Sequence, residues 1–73
     1  MTTATYANQR ETATVIMDGE CLGVHRRGGT CVRRTTDGRF AVITTTGARL
    51  IKTFTDRLHA SRYNFAIHGD TLR

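Results

Sequence analysis

The sequence predicts an α+β fold in which a four-strand antiparallel meander is followed by one amphipathic helix and a C-terminal strand. Asp-Gly pairs at 18–19 and 37–38 each separate two short runs rich in β-branched residues, which is a strong signal for a β-hairpin. Apolar residues then recur at helical spacing from residue 48 to 60, and alternation of period two follows from 63 to 68.

Residues 1–11 are mostly polar, rich in threonine and without a hydrophobic period. We therefore expect a flexible N-terminal arm, followed by a single small domain over residues 12–73. With 73 residues in total, the chain is close to the lower size limit at which a hydrophobic core stabilises itself without disulfides or metals. A fold this small acts through its surface, because it has little volume for a deep pocket.

The first predicted hairpin joins Thr12–Met17 to Glu20–His25 through the Asp-Gly pair at 18–19. Which faces of these strands are buried depends on the length of the turn. A two-residue turn places Val15 beside Leu22, whereas a three-residue turn with a glycine bulge places Ile16 there. A register shift of one residue moves the side chains of one strand to the other face of the sheet. The sequence does not distinguish between the two registers.

The second predicted hairpin joins Thr30–Thr35 to Arg39–Thr45 through the three-residue loop Thr36-Asp37-Gly38, with Gly38 in a left-handed conformation. This register places three apolar residues on one face of the hairpin, namely Val32, Phe40 and Val42. The opposite face is too apolar to be entirely exposed to solvent, so we expect part of it to meet a partner; it holds Cys31, Arg33, Ala41 and Ile43.

The helix is predicted over Ala48–Ala60, where one apolar stripe contains Leu50, Ile51, Phe54 and Leu58. The alternative is a turn at Thr46-Gly47 that leads into a fifth meander strand and a small β-barrel. We favour the helix because the stripe is longer than a typical strand. Tyr63–His68 alternates as a half-buried strand does, which completes the predicted order β-β-β-β-α-β.

Positive charge is the main functional signal of the sequence. Eleven basic residues against six acidic ones give a net charge of +5, and ten of the eleven are arginine. Arginine favours phosphates, carboxylates and aromatic faces, so the excess predicts an acidic partner, either a protein surface or a nucleic acid. A GC-rich genome would produce the same arginine excess without any such partner.

Five arginines along the meander are the candidate partner- or phosphate-binding residues. Arg26 and Arg27 lie on the turn between the two hairpins, and the other three cluster near the opposite turn, namely Arg33, Arg34 and Arg39. Adjacent strand residues point to opposite faces, so Arg33 and Arg34 do not both serve one patch fully. The alternative role of these arginines is solvated edge charge that blocks edge-to-edge aggregation.

Neither a catalytic motif nor a cofactor motif accompanies this charge. Cys21, His25 and Cys31 have spacings that do not match paired zinc ligands, and a strand places Cys21 about 13 Å from His25, so we expect no metal site. Gly28-Gly29 is followed by no P-loop lysine, and no nucleophile motif or paired carboxylates are found. We expect a protein that is not an enzyme, binds no cofactor and keeps both cysteines as thiols.

The N-terminal residues lack the pattern of a secretory signal, and no apolar run is long enough to span a membrane. We expect a cytoplasmic, monomeric protein without membrane contact. The helix and strand patterns place most aromatic residues in the predicted core, so few are left to stack on bases. Sequence-specific nucleic-acid binding therefore has only weak support.

In its length, charge and lack of catalytic motifs, the chain resembles small proteins that bacteriophages make to commandeer host machines. It looks most like phage regulators that bind bacterial RNA polymerase and alter initiation or termination. The resemblance implies a regulator or inhibitor of transcription that docks its basic hairpin edges on an acidic protein surface in the host cytoplasm. The alternative is a nucleic-acid-binding domain whose arginines contact phosphates directly.

Overall fold

The computed structural model describes residues 2–19, 21–25, 29–44 and 49–67, and it confirms the α+β class. Within these residues, β1 and β2 form a two-stranded antiparallel sheet, and β3-β4-β5-β6 form a second antiparallel sheet in that spatial order. The elements are β1 (Thr3–Ala7), β2 (Thr12–Ile16), β3 (Gly23–His25), β4 (Thr30–Arg34), β5 (Phe40–Thr44), β6 (Leu50–Phe54) and α1 (Arg57–Ala66).

The first hairpin differs from the prediction, because β2 pairs with β1 and not with the strand after Asp18-Gly19. Its turn is built by Asn8, whose side-chain oxygen accepts hydrogen bonds from the backbone nitrogens of Arg10 (2.7 Å) and Glu11 (2.6 Å). An asparagine that caps its own turn needs no glycine. The stretch expected to be a flexible arm over residues 1–11 therefore contains a strand, and the predicted single-sheet meander is wrong.

The second hairpin is confirmed, including its loop. Arg34 lies opposite Phe40, and the Thr35 backbone nitrogen donates to the Arg39 carbonyl at 2.9 Å, which leaves a three-residue loop. Gly38 has φ of 89°, a left-handed conformation that glycine adopts without strain. The Thr35 hydroxyl donates to the Asp37 carboxylate and lowers the pKa of that carboxyl, with a smaller contribution from Arg39.

The segment predicted as a helix over residues 48–60 begins instead with β6, as the alternative of a fifth meander strand expected. Val42 pairs with Lys52 but Ile43 pairs with Leu50, so Ile51 is an extra residue in β6. Such a bulge breaks the period of two. Ile51 and Phe54, three residues apart, consequently pack on the same face of the sheet, whereas Leu50 packs on the other. This is why the spacing of these residues imitates a helical stripe.

The helix lies later in the chain than predicted. Asp56 is its N-cap, and the Asp56 carboxylate accepts a hydrogen bond from the Leu58 backbone nitrogen at 2.8 Å. Ala60 and Asn64, four residues apart, are the buried positions of the helix. The predicted strand over residues 63–68 is therefore wrong as far as residue 66, where the helix ends, and its last residue lies outside the described part of the chain.

The four-stranded sheet is the middle layer of the molecule, with the β1–β2 hairpin on one face and α1 on the other. The helix side holds Val32, Val42 and Ala60, with Phe54 and Tyr63 partly buried beside them. The apolar face of the second hairpin that was expected to meet a partner is covered within the molecule. On that side, the buried cluster consists of Tyr6, Ala13, Val15, Cys31, Ala41, Ile43 and Leu50.

Ile43 is among the largest fully buried side chains in the described part of the chain, at the centre of the layer between hairpin and sheet. We expect Ile43→Ala to lower the free energy of unfolding by about 2–5 kcal/mol, because it leaves a cavity in a packed core. Leu58→Ala, at a position that is 55% exposed, is the control and should change it by less than about 0.5 kcal/mol. Urea denaturation measures both, and equal effects would contradict this core assignment.

Candidate functional site

In the described part of the structure, Arg33, Arg34 and Arg39 do not form one patch of free charge. Arg26 and Arg27 lie outside the described residues. Arg33, Arg34 and Arg39 are described, and each has a different environment.

Arg33 holds the backbone after β2 against β4. One terminal nitrogen of its guanidinium donates to the carbonyl oxygens of Met17 (2.7 Å) and Gly19 (2.9 Å). The Nε atom of the same side chain is buried and has no hydrogen-bond partner in the structure. One terminal nitrogen of Arg33 is thus engaged inside the molecule, and the predicted role of Arg33 in partner binding stays a prediction.

Arg39 is committed to a network that joins three parts of the fold. Its Nε lies 2.9 Å from the Asp37 carboxylate, and one terminal nitrogen donates to the Thr53 hydroxyl at 2.9 Å. The Thr53 hydroxyl and backbone nitrogen both donate to the Glu11 carboxylate, at 2.8 and 2.9 Å. Arg39 therefore fixes the second hairpin loop to β6 and, through Thr53, to the turn of the first hairpin.

Arg34 is the predicted arginine that the described structure leaves most available. Its side chain is exposed, and its guanidinium carbon lies 6.0 Å from the centre of the Phe40 ring, at the edge of the range for a cation–π contact. Replacing Arg33, Arg34 and Arg39 together would therefore disturb the fold as well as the surface, so only Arg34 of the three is suited to a binding test.

A second group of cations was not predicted from the sequence. Arg10, Arg49 and Lys52 are exposed and line a cleft of about 400 Å³ between the turn of the first hairpin and β6. In the described part of the chain, none of these three forms an ion pair with a carboxylate. Arg10 belongs to the predicted flexible arm and Lys52 to the predicted helix over residues 48–60, so no sequence signal connects them.

Lys52 also joins this cleft to a pair of aromatic rings. Its Nζ lies 5.5 Å from the centre of the Phe54 ring and 5.7 Å from that of Tyr63, and the two ring centres are 5.3 Å apart. Phe40 pairs with Phe54 across the sheet, so a third ring lies next to them. All three rings are only partly buried.

We call these residues together the β6 surface. It comprises the cations of the cleft, the rings beside Lys52, and the paired ends of β4 and β5, where Arg34 lies opposite Phe40. Its members are Arg10, Arg34, Phe40, Arg49, Lys52, Phe54 and Tyr63.

No grouping suited to metal binding is found among the described residues, where no three His, Cys, Asp or Glu side chains lie close enough together. None of the described helices is long and apolar enough to cross a membrane. The chemical groups that the β6 surface offers are cations and aromatic rings.

No protein-family model, curated protein or solved structure matches this chain.

Formation of the cleft depends on Glu11, since its carboxylate anchors the first hairpin to Thr53. We expect Glu11→Ala to lower the free energy of unfolding by about 1.5–3 kcal/mol, the usual contribution of hydrogen bonds to a charged group. Gln9→Ala, at an exposed position in the same turn, should change it by less than about 0.5 kcal/mol. Chemical denaturation of the two variants tests this, and a Glu11→Ala protein as stable as wild type would show that the anchor is not needed.

Proposed function

We propose that the protein is a non-enzymatic binding protein that regulates or inhibits a host macromolecular machine by docking its β6 surface on an acidic partner. The observation that carries the proposal is a group of exposed cations, Arg34, Arg49 and Lys52, none of which forms an ion pair with a carboxylate among the described residues. Two of them, Arg34 and Lys52, lie beside partly exposed rings. Bacterial RNA polymerase is the partner class we propose, from the resemblance of the whole chain to phage regulators of that enzyme.

The composition of this surface suits a protein interface. Arginine and aromatic side chains dominate the binding energy of many interfaces, because they combine a large contact area with directed charge or hydrogen bonding. Phe54 and Tyr63 supply apolar area that a partner would remove from water, and Lys52 above them supplies charge. The net charge of +5 would also speed encounter with an acidic surface.

A second candidate function is direct binding of single-stranded nucleic acid, and the same rings favour it. Proteins that bind single strands stack bases on aromatic side chains next to cations that contact the phosphates. The sequence led us to expect most aromatic residues inside the core. Phe40, Phe54 and Tyr63 are instead partly exposed beside Arg34 and Lys52, which supplies the aromatic platform that this function requires.

Charge removal at Lys52 tests the proposal against a matched control. We expect Lys52→Ala to weaken binding to purified bacterial RNA polymerase at least tenfold, a loss of about 1.4 kcal/mol. Arg62→Ala removes one exposed charge from the helix, outside the β6 surface, and should change affinity less than twofold. Equal losses for the two variants would show that overall charge, and not this surface, governs binding.

The same titration with a single-stranded oligonucleotide separates the two candidate functions. Direct phosphate contact makes log affinity fall linearly with log salt, with a slope of about −0.7 for each phosphate neutralised. Tight oligonucleotide binding with such a slope, together with absence of polymerase binding after nuclease treatment, would overturn the protein-directed proposal in favour of the second function.

A further inference from the structure

The backbone before β3 contains one residue more than a regular ladder allows. Gly23 pairs with Val32, yet the Leu22 backbone nitrogen also donates to the Val32 carbonyl, at 3.0 Å. Two consecutive residues therefore oppose one residue of β4, which is the arrangement of a β-bulge.

This extra residue determines on which face of the sheet Cys21 lies. In an uninterrupted ladder Cys21 would lie opposite Arg34, on the helix side of the sheet. The shift by one residue brings it opposite Arg33 instead, on the side where Cys31 belongs to the buried cluster. Because strand residues alternate between faces, the bulge places Cys21 and Cys31 on the same face in diagonal positions.

The two thiols therefore lie close together on this face of the sheet. Cys21 is exposed and Cys31 is only 3% exposed, and Cys21 lies close enough to influence the ionisation of the Cys31 thiol. Burial raises the pKa of the Cys31 thiol, and the nearby Cys21 raises it further, whereas the guanidinium of Arg33 acts in the opposite direction.

Arg33 supplies the third group of this cluster. It lies close enough to Cys31 to interact with its thiol, and its buried Nε has no hydrogen-bond partner in the structure. A buried N–H without an acceptor is uncommon in folded proteins. An anionic sulfur on Cys31 would give this guanidinium a partner of opposite charge, which favours the thiolate during exchange.

We propose that Cys21 and Cys31 form a redox modification site, which low-molecular-weight disulfides such as oxidised glutathione convert to an intramolecular disulfide. The proposal is independent of the proposed binding function. It requires only that an exposed and a buried thiol lie near each other on one face of the sheet, as the bulge arranges.

The reaction is a two-step thiol–disulfide exchange. The exposed Cys21 thiol loses its proton, and the resulting thiolate attacks one sulfur of the oxidant, forms a mixed disulfide and releases one glutathione thiolate. The Cys31 thiol then loses its proton and attacks the Cys21 sulfur, which forms the protein disulfide and releases the second glutathione thiolate. Each released thiolate takes up a proton, so two electrons and two protons pass from the protein to the oxidant.

Equilibration of the whole protein in reduced and oxidised glutathione tests the proposal, with alkylation of the remaining thiols and intact mass to count each species. We expect a protein disulfide, with a mass two hydrogens lower than the reduced chain, to be the main oxidised product. The equilibrium constant should be at least tenfold larger in native buffer than in concentrated urea, because the fold holds the two thiols together. An equal or smaller constant in native buffer, or two glutathione adducts per chain, would overturn the proposal.

Two variants show which thiol reacts first. Cys31→Ser should accumulate one glutathione at the exposed Cys21, whereas Cys21→Ser should stay unmodified in native buffer, since Cys31 is buried. Circular dichroism confirms that each variant is folded. The proposed order would be contradicted if Cys31 in the folded Cys21→Ser variant were modified as fast as Cys21 in the Cys31→Ser variant. Should either variant fail to fold, the comparison of native buffer with urea still decides the question on the wild-type chain.

Discussion

The packing of the β1–β2 hairpin against one face of the four-stranded sheet is the interaction on which the rest of this structure depends. The sheet face that the hairpin covers contains Ile43 and Cys31, and it would otherwise be exposed to water. Val15 and Tyr6 from the hairpin complete that layer. In a chain of 73 residues, a sheet with one uncovered apolar face would bury too little surface for a stable fold.

The same packing protects the edge of the outer strand β6. Asn8 donates from its side-chain nitrogen to the Ile51 carbonyl at 2.9 Å, and Glu11 accepts from the Thr53 backbone nitrogen. Unpaired backbone groups at a sheet edge invite pairing with another chain. Side chains from the hairpin turn satisfy these groups, so the edge is closed while the side chains of β6 stay available for binding.

The candidate site is a consequence of this arrangement and not an independent feature. Docking of the hairpin turn brings Arg10 to the cleft that Arg49 and Lys52 also line. The bulge at Ile51 then lets Lys52 and Phe54 lie on the helix side, where Tyr63 completes the group of rings. Residues from three separate parts of the sequence thus meet along a single strand.

Local sequence signals predicted the parts of the fold that depend on local chemistry. The second hairpin follows from Asp37-Gly38, since glycine alone adopts the left-handed conformation there without strain. The turn at Asn8 contains no glycine and was therefore not predicted from the sequence. The extra residue at Ile51 gave the strand a spacing of apolar residues that is typical of a helix. Arg33 and Arg39 were predicted to be available for binding, because most of the groups that hold them inside the fold lie far away in sequence.

The central functional claim is that the β6 surface, and not the exposed outer face of the helix, contacts the partner. Hydroxyl-radical footprinting of the complex with bacterial RNA polymerase tests it directly, because Tyr63 and Phe65 are two residues apart on the same helix but differ in environment. The proposal predicts that Phe54 and Tyr63 lose labelling in the complex while Leu58 and Phe65 keep theirs. Protection of Leu58 and Phe65 with unchanged labelling of Tyr63 would contradict it.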